Sequence, residues 1–132
     1  MAEIVDISST VRNYKDLKVW QQGVELTKRI YRLTQTLPKE ELYGLTSQMR
    51  RAAVSVPSNI AEGHVRQSLK EYIRHLSIAT ASLAELETQL LLCCDLDYAT
   101  EEEVYLILEQ ITSIQRVINA TRATLKRKLA DA

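Results

Sequence analysis

The sequence predicts an all-α protein, an antiparallel up-down-up-down four-helix bundle, and three observations lead there. Glycine and proline are scarce, three and two in 132 residues, so the recurrent turns of an all-β chain are missing. Two long segments repeat apolar residues at alternating spacings of three and four. The connections between helical segments are short, which forces consecutive helices to run antiparallel. A chain of this length is expected to make one domain with one core.

The first helix begins near Asp16, read as its N-cap, and carries Leu17, Trp20, Val24, Tyr31 and Leu33 on broadly one side. It ends before Pro38, because proline drives the preceding residue out of the α region. Residues 39–43 form the turn, and Gly44 adds backbone freedom before the next helix. The second helix runs from about Leu45 to His64 with Pro57 inside it. Proline removes the hydrogen bond to the carbonyl of Ala53 and crowds that turn, so one kinked helix is expected. The alternative is a break, with Pro57 in a new first turn and Asn59 and Glu62 as a capping-box-like pair. Ala52, Ala53 and Ala61 are small enough for neighbouring backbones to approach closely.

The third helix opens with Ser68-Leu69-Lys70-Glu71, the capping-box pattern in which each side chain satisfies the other's backbone amide. Its seam is Leu69, Tyr72, Leu76, Ala79, Leu83, Leu86, Leu90 and Cys93. The fourth opens with Thr100 and Glu101 to Glu103, whose carboxylates suit a helix N-terminus. Its seam is Val104, Ile107, Ile111, Ile114, Ile118, Thr121 and Leu125. Both repeats average about 3.5 residues, as in helices packed knobs-into-holes. At about 1.5 Å per residue, each of these helices is roughly 40 Å long.

The 17 basic and 17 acidic residues balance, which argues against coating nucleic acid through bulk charge. The opening MAEIVDISST has no basic region and no long apolar run, so it reads as neither signal nor transit peptide. No window approaches the roughly 18 apolar residues of a membrane span. A soluble, cytoplasmic protein with no membrane partner is expected. Residues 1–13 show no period and read as a flexible N-terminal arm, ahead of a bundle domain at 14–129. Cys93 and Cys94 are neighbours in an apolar helical run. A disulfide between them would be strained, and no further thiol completes a zinc site, so they read as core thiols.

Apolar residues exceed what one core needs. Leu90, Leu91 and Leu92 point three ways about their helix, and residues 104–108 wrap nearly its whole circumference. A helix apolar on more than one stripe is buried on more than one side, so a homo-oligomer is expected. Topology also polarises the neutral chain. One end collects Glu40, Glu41, Asp95, Asp97 and Glu101 to Glu103 against Lys39. The other collects Arg12, Lys15, Lys18, His64, Arg66, Lys70, Arg122, Lys126, Arg127 and Lys128 against Asp16, Glu62, Glu71 and Asp131. Helix dipoles account for Glu101 to Glu103 and Lys126 to Lys128, but not for Lys15, Lys18, Arg66 and Lys70 beside helix N-termini. Candidate nucleic-acid contacts are therefore Arg12, Lys15, Arg66, Lys70, Arg122, Lys126, Arg127 and Lys128.

Catalytic patterns are missing. His64 and His75 are not at metal-ligand spacing, and no Cys, Asp or Glu cluster completes a site. Glu85 and Glu87 lie two apart on a helix and point to different sides. Neither a Gly-rich phosphate loop nor a triad is visible. No enzymatic activity, cofactor or metal is expected.

Three segments carry a family resemblance: Tyr14-Lys-Asp-Leu-Lys-Val-Trp20; Leu42-Tyr-Gly-Leu-Thr-Ser-Gln48 with Arg50-Arg51-Ala-Ala-Val-Ser-Val-Pro-Ser-Asn-Ile-Ala-Glu-Gly63; and Ser82-Leu-Ala-Glu-Leu-Glu-Thr-Gln-Leu90. Across residues 14–125 the chain resembles the four-helix-bundle family encoded by intervening sequences within bacterial 23S rRNA genes. The resemblance implies a homopentamer arranged as a tapered ring. It further implies kinship with the accessory proteins of diversity-generating retroelements, which partner a reverse transcriptase and bind nucleic acid, RNA or DNA. Arg50, Arg51, Pro57, Ser58, Asn59 and Glu62 are its motif and the candidate interface residues. Arg50 and Arg51 are adjacent, so at most one faces inward. Asn59 and Glu62 share a face and, if buried, need partners that a ring interface would supply. The leading functional reading is a non-enzymatic oligomer that meets nucleic acid at its basic end. The alternative is a protein-interaction scaffold, and a third reading is a small-molecule binder around Asn59 and Glu62.

Overall fold

The computed structural model describes residues 12–132, and four helices make up almost all of them. They are α1 (Lys18–Thr34), α2 (Leu45–Val65), α3 (Leu69–Asp95) and α4 (Glu101–Ala130). The expected arm at residues 1–13 lies almost wholly outside the described residues. Each helix packs on its sequence neighbours, α4 returns to α1, and the diagonal pairs barely touch. These are the contacts of an up-down bundle. The α2–α3 interface is the most extensive and the α1–α4 interface the slightest.

Asp16 does not cap α1. It closes a short 3-10 turn, Tyr14–Asp16, and its carboxylate accepts the Arg12 N–H at 3.1 Å. Asn13 caps that turn by accepting the Lys15 N–H at 2.8 Å. α1 then starts after buried Leu17 with no side-chain cap. Its inward face also differs from the expected one, being Val19, Gly23, Leu26, Ile30 and Leu33. Trp20 and Val24 are half-buried and Tyr31 is exposed.

Pro57 shapes the contact between α1 and α2. α2 is one uninterrupted helix through the proline, not two. Lacking an N–H, Pro57 leaves the Ala53 carbonyl without its usual donor. The Thr27 hydroxyl of α1 lies 3.1 Å from that carbonyl and 2.8 Å from the Gly23 carbonyl of its own helix, so one proton serves both. One turn away, a Cβ on Gly23 would stand 3.3 Å from the Pro57 Cβ, so the missing side chain lets the two helices close up. Tyr31, one turn beyond Thr27 on the same stripe, reaches the edge of α2 at Arg50.

The seams of α3 and α4 are buried as their periodicity requires, apart from half-buried Leu69 at the start. The capping details exchange places. Ser68 accepts the Glu71 N–H at 3.2 Å, but the Glu71 carboxylate bonds Arg74 at 3.1 Å, so α3 has half a box. α4 has the complete box: Thr100 Oγ1 accepts the Glu103 N–H at 3.2 Å, and Glu103 Oε1 accepts the Thr100 N–H at 3.1 Å. α3 ends in a Schellman pattern, Tyr98 N–H to Cys93 O and Asp97 N–H to Cys94 O, with Asp97 at φ 60°. Among the described helices, α3 is long and apolar enough to cross a membrane by length and composition alone, contrary to the sequence expectation. Its seam is buried against α2 and α4, which is the role of a central core helix.

Glu41 ties two connections together. One carboxylate oxygen accepts the Leu45 N–H at 3.1 Å, serving the open start of α2, and the other accepts the Tyr98 hydroxyl at 3.0 Å. The 1–2 and 3–4 connections therefore share one end of the bundle. Gly44 leaves room for this carboxylate, since a Cβ there would stand 2.7 Å from Glu41 Oε1 and make it shift. Deeper in, Cys93 is buried and its thiol donates to Met49 Sδ at 3.6 Å. Burial above all, then the Glu41 charge and Cys94, push the Cys93 thiol up to about 11.

Two predictions follow from this packing. Thr27→Val strands the Ala53 carbonyl and should destabilise the fold by about 1–3 kcal/mol. In a Pro57→Ala background the new N–H can serve that carbonyl, so the same substitution should cost distinctly less by chemical denaturation. The Cys93 thiol, protonated in the fold, adds stability that is full below its unfolded value of about 8.5. That contribution falls away as pH rises toward about 11. The stability difference between the native chain and Cys93→Ala should shrink across this window in denaturant titrations.

Candidate functional site

The signature on α2 faces two helices at once. Ala53 and Pro57 meet α1, while Ser55, Asn59 and Gly63, four residues apart, line one stripe toward α3. On α3 the answering residues are His75 and Ser82, seven apart and both buried. Ser82 Oγ donates to Ser55 Oγ at 2.8 Å. Asn59 Nδ2 donates to the Ser55 carbonyl at 2.9 Å and to Ser55 Oγ at 3.0 Å. Its Oδ1 therefore accepts, and the partner at 2.9 Å is His75 Nδ1, which must carry a proton. His75 Nε2 is then free to accept from Arg74 Nη2 at 3.2 Å. A Cβ on Gly63 would lie 2.8 Å from the His75 Cβ, so glycine sets the close approach at this crossing. Gln89 continues the α3 stripe one heptad further, with its Oε1 buried and without a hydrogen-bond partner among the described residues.

Asn59 thus finds its partner inside the chain, on α3, and needs no neighbouring subunit. Glu62 is exposed and pairs with Arg66 at 3.0 Å, with His75 Nε2 3.8 Å away. Arg50 turns toward α1. Its guanidinium lies 4.6 Å from the Tyr31 ring centroid, and its Nε donates to Thr34 Oγ1 at 2.8 Å, near the end of that helix. Arg51 and Ser58 are exposed, and their side chains have no hydrogen-bond partner among the described residues. Sequence reasoning missed Gly23, Thr27, Ser55, Gly63, His75 and Ser82. The available signal was the four-residue spacing on α2 beside the seven-residue spacing on α3.

The basic candidates sit at the end opposite Glu41 and Tyr98. Lys15, Lys70, Lys126 and Lys128 are exposed, and Lys15 Nζ stands 6.0 Å from the Tyr14 ring centroid. Arg12, also exposed, spends its backbone N–H on Asp16. Arg66 is held by Glu62, and Arg127 donates to Thr124 Oγ1 at 3.2 Å. Arg122 is half-buried, with its Nε without a hydrogen-bond partner among the described residues. Among the described residues no group of three or more His, Cys, Asp or Glu could hold a metal ion.

The outer faces keep substantial apolar area. Tyr43 is 92% exposed, and together with Tyr31, Leu42 and Val54 it lines an open groove along α1 and α2. Leu91, Leu92 and Leu96 on α3 and its end, and Tyr105 and Leu106 on α4, are also exposed.

Fold and site together define a four-helix protein whose signature residues govern how its helices cross. The chain matches the model of the 23S rRNA-intervening sequence protein family over residues 15–120, and it belongs to that family. It is similar to a crystal structure from Bacteroides thetaiotaomicron, described as a protein with unknown function from the S23 ribosomal protein family. Identity is 27%, covering 77% of this chain and 95% of that one, with a TM-score of 0.72. No curated protein matches the chain.

Replacing Asn59 by Leu strands the buried His75 Nδ1–H and should lower stability by about 1–3 kcal/mol. Because the pair is internal, sedimentation should find self-association unchanged at protein concentrations where the variant stays folded. A change in subunit number instead would return Asn59 to an interface role.

Proposed function

We propose that this protein is a non-enzymatic, self-associating bundle that binds nucleic acid through its basic end. The observation that carries the reading is the segregation of charge by topology. The 1–2 and 3–4 connections, joined through Glu41 and Tyr98, hold the acids, and the cations gather at the far end. Copies aligned side by side would merge those ends into one basic face. Such a face meets a phosphate backbone although each copy is neutral overall. The family resemblance favours five copies and a reverse transcriptase as an accompanying protein. Exposed apolar surface on all four helices supports the association.

The test is binding to a labelled duplex across a salt series. Neutralising Lys126, Arg127 and Lys128 to glutamine should weaken binding and reduce the slope of log K against log salt by up to about 2.7. An intact protein with no salt-sensitive binding at low ionic strength would sink the nucleic-acid half of the reading. The same exposed surface favours a second reading, a protein-interaction scaffold. It predicts that one polypeptide is recovered with the protein from cells whether or not nuclease is added.

A further inference from the structure

We infer that the groove on the α1–α2 face is the socket for the outward ridge of α4 on a second copy, so that association is head-to-tail. This rests on the self-association proposed above and names the surfaces that make it. The groove holds roughly 650 Å³ and is walled by Tyr31, Leu42, Tyr43 and Val54, with Arg50 and Arg51 at its side and no acid in its lining. Arg50 is occupied by Tyr31 and Thr34, whereas the Arg51 guanidinium is free among the described residues.

The ridge is its counterpart in shape and sign. Glu102, Tyr105, Leu106 and Glu109 fall at positions i, i+3, i+4 and i+7, which puts them on one face of α4. All four are exposed, with Tyr105 at 64% and Leu106 at 54%. The two carboxylates flank the apolar pair and have no partner among the described residues, while Arg29 and Arg32 of α1 line the notch beside Leu106. An aromatic and a leucine between two acids fit an apolar groove beside a free arginine.

Position in the bundle decides the type of contact. α2 and α4 are diagonal, so socket and ridge are separate surfaces, one on each side of α1. A contact between two different surfaces is heterologous, and it builds rings or filaments rather than a two-fold dimer. Height matters as well. Leu106 and Glu103 line a notch with Leu33 and Thr36 of α1, so the ridge stands near the level of Tyr31 in the socket. Neighbours joined at one level stand side by side with their basic ends pointing the same way.

Complementation tests the inference. A socket variant carries Tyr43→Glu with Val54→Glu, and a ridge variant carries Tyr105→Lys with Leu106→Lys. Each variant alone should be a 15.1 kDa monomer by light scattering, under conditions where the intact chain self-associates. An equimolar mixture should give a 1:1 dimer and nothing larger, because one intact socket and one intact ridge remain. Arg51→Glu should weaken self-association by up to about fivefold, and adding Glu102→Arg with Glu109→Arg should restore it. If the intact chain associates but either variant still assembles alone, or the mixture stays monomeric, the pairing is overturned while self-association stands. If the intact chain is itself monomeric at millimolar concentration, the underlying reading fails and takes this one with it.

Discussion

One orphaned carbonyl organises half of this molecule. Proline at position 57 removes the donor that Ala53 O would have used, and a buried carbonyl without a donor is expensive. Thr27 repairs it from the neighbouring helix, and Gly23 removes the bulk that would hold the helices apart. The repair fixes the rotation of α1 about its own axis. Tyr31, one turn beyond Thr27 on the same stripe, meets α2 beside Arg50 and Val54 and walls the apolar groove.

The other half depends on the polar stripe between α2 and α3. Serine, asparagine and glycine at four-residue intervals admit a close crossing, and the Asn59–His75 bond has one register in which it can form. The family signature is therefore a pair of packing instructions written on two faces of one helix. What the signature leaves exposed is Arg51 and Ser58, beside the apolar strips and the charged ends.

Much of the fold was legible in sequence because the information was local. The seams of α3 and α4, the bounds of α2 and the antiparallel order follow from periodicity and short connections, and all are present. The inward face of α1 was misread because large apolar residues lie on two stripes, Trp20, Val24 and Tyr31 on one and Leu26, Ile30 and Leu33 on the other, with Gly23 and Thr27 between them. Their role depends on Pro57, thirty residues or more away, and no local pattern announces it. Asp16 has the right chemistry for a cap but serves the turn before the helix. Ser68 and Glu71 match a capping box, yet Arg74, three residues on, draws the carboxylate away. The partner of Asn59 is sixteen residues distant on another helix, so burial alone could say that it needed one and not which. The outer patches were visible as surplus leucine and tyrosine, but their placement on either side of α1 required the order of the helices.

The connection between α2 and α3 has a further consequence, for the order of assembly. Residues 66–68 are all that separate the two helices with the most extensive interface in the bundle, so closing that hairpin loses little chain entropy. Such local, short-range contacts form early along a folding route, with α1 and α4 docking onto an existing α2–α3 pair. The last seam to close is the slight one between α1 and α4, whose residues are the furthest apart in the chain. Thermal opening should begin along that same line, like a book whose spine is α2 and α3 and whose covers are the first and last helices.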